Sequence, residues 1–194
     1  MKNSKEIKLN LSDRILAATF LKFLPKRVTP NQITIFRFFT IPFIALLLLL
    51  EKYQLGIILF AVSAFSDALD GALARKTRRI TQWGIAYDPL ADKLLIGVTA
   101  FLVLPMFFSP LLIFAIIFIE MALIGLSYYY RRYRKGAIVM ANWWGKSKML
   151  AQSLGVGLTL LYILWPVAGV IITAQWILYL AVALGIVSLV TYSL

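Results

Sequence analysis

Four aspartates stand close together near the middle of this 194-residue chain, and they make up half of its eight acidic residues. Asp67 and Asp70 are three residues apart, and Asp88 and Asp92 are four residues apart. On a helix, such spacings place both side chains of a pair on one face. Four carboxylates in a small volume repel one another, and one or two divalent cations would relieve that repulsion. The spacing therefore predicts a metal site with oxygen ligands.

The side chains available in the chain restrict the choice of metal. The sequence contains no cysteine and no histidine, which excludes thiolate chemistry and removes the usual ligands of zinc. Carboxylate oxygens favour Mg2+, Ca2+ or Mn2+. Mg2+ commonly combines a few carboxylates with water and substrate phosphates. We therefore expect Mg2+ or Mn2+ at the aspartates.

The residues around the aspartates fit a phosphate-bearing substrate. Gly71, Ala74 and Gly84 are small and leave room for a ligand, and Arg75 offers a planar fork suited to phosphate. Metal ions and an arginine together can clamp a pyrophosphate, and one carboxylate could remove a proton from an attacking hydroxyl. The alternative is that the aspartates are solvated at a membrane surface and paired with neighbouring basic residues. That alternative gives no reason for four aspartates at these spacings.

The composition places these residues in a membrane protein. The chain is 61% hydrophobic and 14% charged, whereas soluble domains are about half apolar and about 25% charged. Six apolar runs are each long enough for a span of ~20 residues, and helices satisfy every backbone group within lipid. We therefore predict an all-α polytopic protein with six transmembrane helices and one membrane domain over 33–194. The runs lie near 33–50, 55–73, 86–106, 110–130, 146–165 and 168–192.

Small residues and the N-terminal segment add two structural expectations. Gly155 and Gly157 in the fifth run would allow close approach of a neighbouring helix. Residues 1–32 are predicted to be a cytoplasmic segment in which 11–24 forms an amphipathic helix on the membrane surface. A basic leader without that helix is the alternative.

The distribution of basic residues predicts the orientation. The chain has a formal net charge of +12. Seventeen lysines and arginines lie on one side of the predicted spans, whereas Lys52 alone lies on the other. The positive-inside rule then places both termini and the aspartates in the cytoplasm. Basic residues beside apolar spans favour anionic lipid headgroups as partners over nucleic acid.

The acidic segment also resembles a known family. It reads Asp-x-x-Asp-Gly-x-x-Ala-Arg from Asp67 to Arg75, then eight residues, then Gly-x-x-x-Asp-x-x-x-Asp from Gly84 to Asp92. This pattern resembles the signature of the CDP-alcohol phosphotransferase family, and the upstream stretch 29–42 is similar to that family's first-span motif. The resemblance implies that a hydroxyl of one alcohol displaces CMP from a CDP-linked alcohol, with two metal ions bound. It is also compatible with a homodimer.

The resemblance implies a role for each matching residue. Asp92 would be a shared metal ligand and the base. The metal ligands would be Asp67, Asp70, Asp88 and Asp92. The CDP pocket would be formed by Asp67, Asp70, Gly71, Ala74, Arg75 and Gly84. Further residues lining the site would be Asn31, Thr34 and Arg37.

A second stretch bears on the acceptor. Residues 139–152 are similar to a segment of bacterial phosphatidylglycerophosphate synthases, which implies CDP-diacylglycerol and glycerol 3-phosphate as substrates. Lys146 and Lys148 could neutralise the acceptor phosphate, or could be membrane anchors with snorkelling stems. Ile119 and Ser127 stand where the synthases often carry arginine. Other acceptors (inositol phosphate, serine or phosphatidylglycerol) and a cation-coupled transporter are the alternatives.

Glu120 is the one acid in the middle of a predicted apolar span. An acid at that depth is expected to have a partner. Lys93 and Arg37 are the candidates from the sequence, and a structural ion pair is favoured over substrate contact. Together these features predict an enzyme of phospholipid synthesis in the cytoplasmic membrane.

Overall fold

A computed structural model describes residues 29–77, 82–133 and 143–193 of the chain. These residues form six α-helices and one short 3-10 helix, which confirms the all-α prediction for the part described. The segment 11–24, predicted to be an amphipathic helix, lies outside the described residues. In chain order the helices are α1 (Pro30–Leu49), α2 (Tyr53–Thr77), α3 (Gln82–Val103), the 3-10 helix (Leu104–Met106), α4 (Pro110–Tyr133), α5 (Trp143–Leu164) and α6 (Ala168–Ser193).

Five of the described helices are long and apolar enough to cross a membrane. Their candidate spans are Asn31–Leu49, Tyr87–Met106, Pro110–Tyr129, Trp143–Leu164 and Ala168–Thr191. In α2 the described apolar stretch is Tyr53–Asp67. The chain is therefore an integral membrane protein. Large apolar side chains on the outside, such as Leu111 and Trp176, fit contact with lipid tails.

The helices fall into two compact units, Met1–Val98 and Thr99–Leu194. In the first unit, α1 begins with Pro30 in its first turn, and the Thr29 N–H donates to Gln32 Oε1 at 2.9 Å. This arrangement satisfies an otherwise unpaired donor at the helix start.

A tight turn joins α1 to α2 and makes them antiparallel neighbours. The Lys52 N–H donates to the Leu47 carbonyl at 2.9 Å, and the Glu51 N–H donates to the Leu48 carbonyl at 3.1 Å. These bonds close the helix in the pattern of a Schellman motif. Glu51 has a φ of 58°, a conformation that such a turn requires and that glycine adopts most easily. Farther along the pair, Thr40 Oγ1 and Ser63 Oγ share a hydrogen bond of 2.9 Å across the interface.

In the second unit, α5 and α6 pack closely at Gly155. A Cβ at Gly155 would lie 2.6 Å from Leu178 Cδ2, so a larger residue there would force Leu178 to move. The expectation for Gly155 is confirmed. Gly157 faces open space in the described structure, and the expectation of close approach there is wrong. Two residues along a helix correspond to about 200° of rotation, so the two glycines cannot share a face.

Candidate active site

Arg37 lies in the third turn of α1, and its side chain is completely buried. Nη2 donates to Asp67 Oδ1 at 2.9 Å, and Nη1 donates to Asp92 Oδ1. A buried cation is stable only when it is paired. Arg37 therefore connects α2 with α3 through one guanidinium.

Thr34 lies one turn earlier on the same face of α1. Its hydroxyl donates to Asp88 Oδ1 at 2.6 Å, and its side chain is buried. Next to Arg37, the Phe38 ring meets the Tyr87 ring edge-on, with centroids 6.4 Å apart. One short stretch of α1 thus contacts the stretch of α3 that carries Asp88.

The structure places three of the four aspartates around this stretch of α1. We call Asp67, Asp88 and Asp92 the acidic site. Helical spacing puts Asp88 and Asp92 on one face of α3, and the α1 side chains bring Asp67 of α2 to that face. The side chain of Asp67 is 44% exposed and that of Asp92 is 24% exposed, so both carboxylates are partly accessible.

The remaining residues from the sequence signature are described in less detail. Asn31 is half-buried in the first turn of α1, and Gly84 is buried near the start of α3. Four other signature residues belong to α2, but their side chains lie outside what the structure describes. They are Asp70, Gly71, Ala74 and Arg75.

The acidic site fits a hard divalent cation by the chemistry of its donors. Every potential ligand is a carboxylate or hydroxyl oxygen, which suits Mg2+ or Mn2+. Among the side chains described, no three acidic groups form a ready-made cluster for one ion. Asp70, the fourth predicted ligand, lies outside that set. The metal site expected at Asp67, Asp70, Asp88 and Asp92 therefore stays a prediction.

A second charged pair lies in the other unit. Lys148 of α5 donates to Glu120 Oε1 of α4, and the lysine side chain is buried. The prediction that Lys93 or Arg37 pairs with Glu120 is wrong, because Lys148 is the partner and Arg37 contacts Asp67 and Asp92 instead. Lys148 lies 28 residues away along the chain, and that separation carries no sequence signal. Lys146, two residues before Lys148, is exposed.

Gln152 is a polar residue of this second unit that sequence reasoning missed. It lies one turn after Lys148 on the buried face of α5. Its Oε1 atom is buried without a hydrogen-bond partner in the described part of the chain. The spacing of Lys148 and Gln152 could have indicated this residue, because side chains four residues apart lie on one face of a helix.

Comparison with known proteins places these observations in a family. The profile of the CDP-alcohol phosphatidyltransferase family matches residues 27–187. The chain is 31% identical over 170 residues to a protein of Haemophilus influenzae, covering 84% of this chain and 90% of that protein. It is 33% identical over 149 residues to a Bacillus subtilis protein, covering 69% and 76% respectively. Both relatives are named CDP-diacylglycerol–glycerol-3-phosphate 3-phosphatidyltransferase.

Other relatives with that name are matched over a smaller part of their length. A Mycoplasma genitalium protein is 34% identical over 152 residues, which cover 68% of this chain and 64% of that protein. A Rickettsia typhi protein is 40% identical over 78 residues, which cover 39% of this chain and 44% of that protein.

Proposed function

This chain belongs to the CDP-alcohol phosphatidyltransferase family, and we propose that it transfers a phosphatidyl group from CDP-diacylglycerol to glycerol 3-phosphate. In this reaction a glycerol hydroxyl oxygen forms a bond to the phosphatidyl phosphorus. The bond from that phosphorus to the CMP oxygen breaks, and CMP leaves with the electron pair. The products are phosphatidylglycerophosphate and CMP.

The observation that carries the proposal is the junction of α1 with the acidic site. Arg37 contacts both Asp67 and Asp92, and Thr34 contacts Asp88. Carboxylates from two helices thus lie around one buried turn at the start of the apolar spans. Such a cluster beside lipid is energetically costly, and its presence therefore indicates a functional site.

The acidic residues have distinct proposed roles. Asp67, Asp70, Asp88 and Asp92 would hold two divalent cations, Mg2+ or Mn2+; the family depends on divalent metal. When bound, the cations neutralise charge on the substrate phosphates and on departing CMP. Asp92 would also accept the proton of the acceptor hydroxyl, because a carboxylate within hydrogen-bond reach of that hydroxyl can act as a general base.

The CDP pocket is proposed from the residues of α2 and α3 that match the family signature. Arg75 would bind a substrate phosphate through its planar fork. Three further positions carry small residues, which would allow the nucleotide to approach the helix backbone. These are Gly71, Ala74 and Gly84, and Asn31 is proposed to line the same site.

The acceptor is proposed from the names of the relatives and from the charges on α5. Glu120 offsets the charge of Lys148, so we assign Lys148 mainly to the scaffold. Lys146 is exposed and is the stronger candidate to meet the phosphate of glycerol 3-phosphate. Inositol phosphate, serine and phosphatidylglycerol are the competing acceptors.

The distribution of charge supports a location in the cytoplasmic membrane. With seventeen basic residues on one side of the spans and Lys52 on the other, both termini and the acidic site would face the cytoplasm. Water-soluble CMP and glycerol 3-phosphate would then exchange on that side. Anionic lipids are proposed partners of the basic segments, and a homodimer is proposed from the family resemblance.

A cation-coupled transporter is the second candidate function. An ion path needs polar groups across the membrane, but no charged residue follows Lys148 in the sequence. The family match also gives this alternative no support.

The proposal is tested by assaying CMP release from purified protein. The protein is incubated with CDP-diacylglycerol, Mg2+ or Mn2+, and each candidate acceptor in turn. We expect CMP release with glycerol 3-phosphate and at most slow release with the other alcohols. Release with one of the others alone would reassign the acceptor. Absence of release with every acceptor would contradict the reaction itself.

A further inference from the structure

We propose that Arg37 is a fixed counter-cation of the acidic site, holding Asp67 of α2 beside Asp92 of α3 whether or not a divalent cation is bound. Arg37 is a positioning residue, because it acts through the carboxylates of Asp67 and Asp92 that it contacts. The inference rests on the proposed function only in treating those carboxylates as metal ligands.

The Arg37 guanidinium bridges α2 and α3. Nη2 is 2.9 Å from Asp67 Oδ1, and Nη1 contacts Asp92 Oδ1, so two nitrogens of one planar group contact two different helices. A lysine ammonium is a single point charge on a flexible stem and lacks this fork. The bridge therefore depends on arginine and not only on positive charge.

The arginine is more deeply buried than the two aspartates that it contacts. The Arg37 side chain is fully buried, whereas the side chains of Asp67 and Asp92 are partly exposed. Arg37 thus lies on the buried side of the two carboxylates, and each carboxylate keeps an accessible side. Because a carboxylate has two oxygens and several lone pairs, it can accept from a guanidinium and bind a cation at the same time. The fixed cation and the exchangeable cation therefore need not exclude one another.

Arg37 and a divalent cation would both offset the negative charge of Asp67 and Asp92. In the native chain, removal of a divalent cation leaves Asp67 and Asp92 paired through Arg37. Without Arg37, the two carboxylates repel each other, and a divalent cation has to supply the positive charge between them. A ligand that binds only the folded state stabilises the protein by an amount that increases with its affinity. Loss of Arg37 should thus make folding more dependent on metal.

Thermal unfolding of the 194-residue chain in detergent tests whether loss of Arg37 makes folding more dependent on metal. Wild type and Arg37→Gln are melted in EDTA and in Mn2+, without substrates. We expect Arg37→Gln to lower the Tm in EDTA by about 5 °C or more, and Mn2+ to raise its Tm at least twice as far as it raises that of wild type. The matched control is Lys93→Gln, which removes the same charge from an exposed residue next to Asp92 and should leave both melts unchanged.

The inference is overturned if Arg37→Gln keeps the wild-type Tm in EDTA, or if its Mn2+ shift equals that of wild type. If Arg37→Gln cannot be purified in folded form, the double variant Arg37→Gln/Asp67→Asn decides. Removing Asp67's charge should relieve the repulsion and restore a folded protein, and a double variant that also fails to fold overturns the inference. Since no arm measures CMP release, failure here is distinct from failure of the proposed reaction.

Discussion

Lys148 of α5 and Glu120 of α4 form an ion pair, and the lysine side chain is only 5% exposed whereas that of Glu120 is 26% exposed. The pair joins two helices of the second unit. The cost of placing a charge among apolar helices is met by the partner, so each member is stable only while the other is present.

The first prediction concerns this pair. Glu120→Gln leaves the buried Lys148 ammonium without its carboxylate partner. We expect the free energy of unfolding to fall by about 2–3 kcal/mol. This loss is smaller than that expected for a fully buried pair, because Glu120 is partly exposed. Equilibrium unfolding in mixed micelles measures it. Adding Lys148→Met should recover part of the loss, because the uncompensated charge is gone. If Glu120→Gln were as stable as wild type, the ion pair would contribute nothing to the free energy of unfolding.

The second prediction separates Lys146 from its neighbour. Lys146→Gln should raise the KM for glycerol 3-phosphate about tenfold or more, because a charged hydrogen bond contributes about 1.5–3 kcal/mol. The Tm should stay close to that of wild type, since the side chain is exposed. The control is Lys52→Gln, another exposed lysine at the turn between α1 and α2. Equal KM values for the Lys146 and Lys52 variants would remove Lys146 from the acceptor site.

The third prediction uses two glycines of one helix. Gly155→Ala places a methyl group 2.6 Å from Leu178 Cδ2 and should destabilise the protein by about 1–3 kcal/mol. Gly157→Ala meets open space and should be neutral or stabilising by up to about 1 kcal/mol through helix propensity. The difference between the two Tm values is the measurement. The same Tm for both variants would contradict the packing of α5 on α6.

The fourth prediction concerns the hydroxyl that orients Asp88. Thr34→Val removes the 2.6 Å hydrogen bond to Asp88 while keeping the side-chain volume. We expect the Mg2+ concentration for half-maximal activity to rise about tenfold, since a hydrogen bond to a charged group contributes about 1.5–3 kcal/mol. Thr34→Ser retains the hydroxyl and should stay near wild type. A valine variant with the metal dependence of the serine variant would show that the bond has no part in metal binding.

Hydrophobic patterning predicted all six described helices because each apolar run is long and ends in polar or helix-breaking residues. The ends were less predictable. α2 continues to Thr77, past the predicted end at 73, because a helix can extend beyond the lipid with its backbone bonds intact. α1 begins at Pro30 instead of 33, where Gln32 satisfies the Thr29 N–H.

The acidic site was predictable in part, because helical spacing is a local property. Asp88 and Asp92 share a face for that reason alone. The partners of Arg37 were not predictable in the same way. Asp92 lies 55 residues away along the chain, and only the packing of α1, α2 and α3 determines which cation meets which acid. The partner of Glu120 was missed for the same reason, since spacing along one helix says nothing about the helix opposite.

The most direct test of the account is the formation of phosphatidylglycerophosphate from isotope-labelled glycerol 3-phosphate, followed by mass spectrometry for wild type and Asp92→Asn. If Asp92 takes the hydroxyl proton, wild type forms the labelled lipid with one CMP per lipid. Asp92→Asn should then be slower by about 10²–10⁴-fold while still binding CDP-diacylglycerol. Absence of labelled lipid with the wild-type protein, or an Asp92→Asn variant of unchanged rate, would contradict the account.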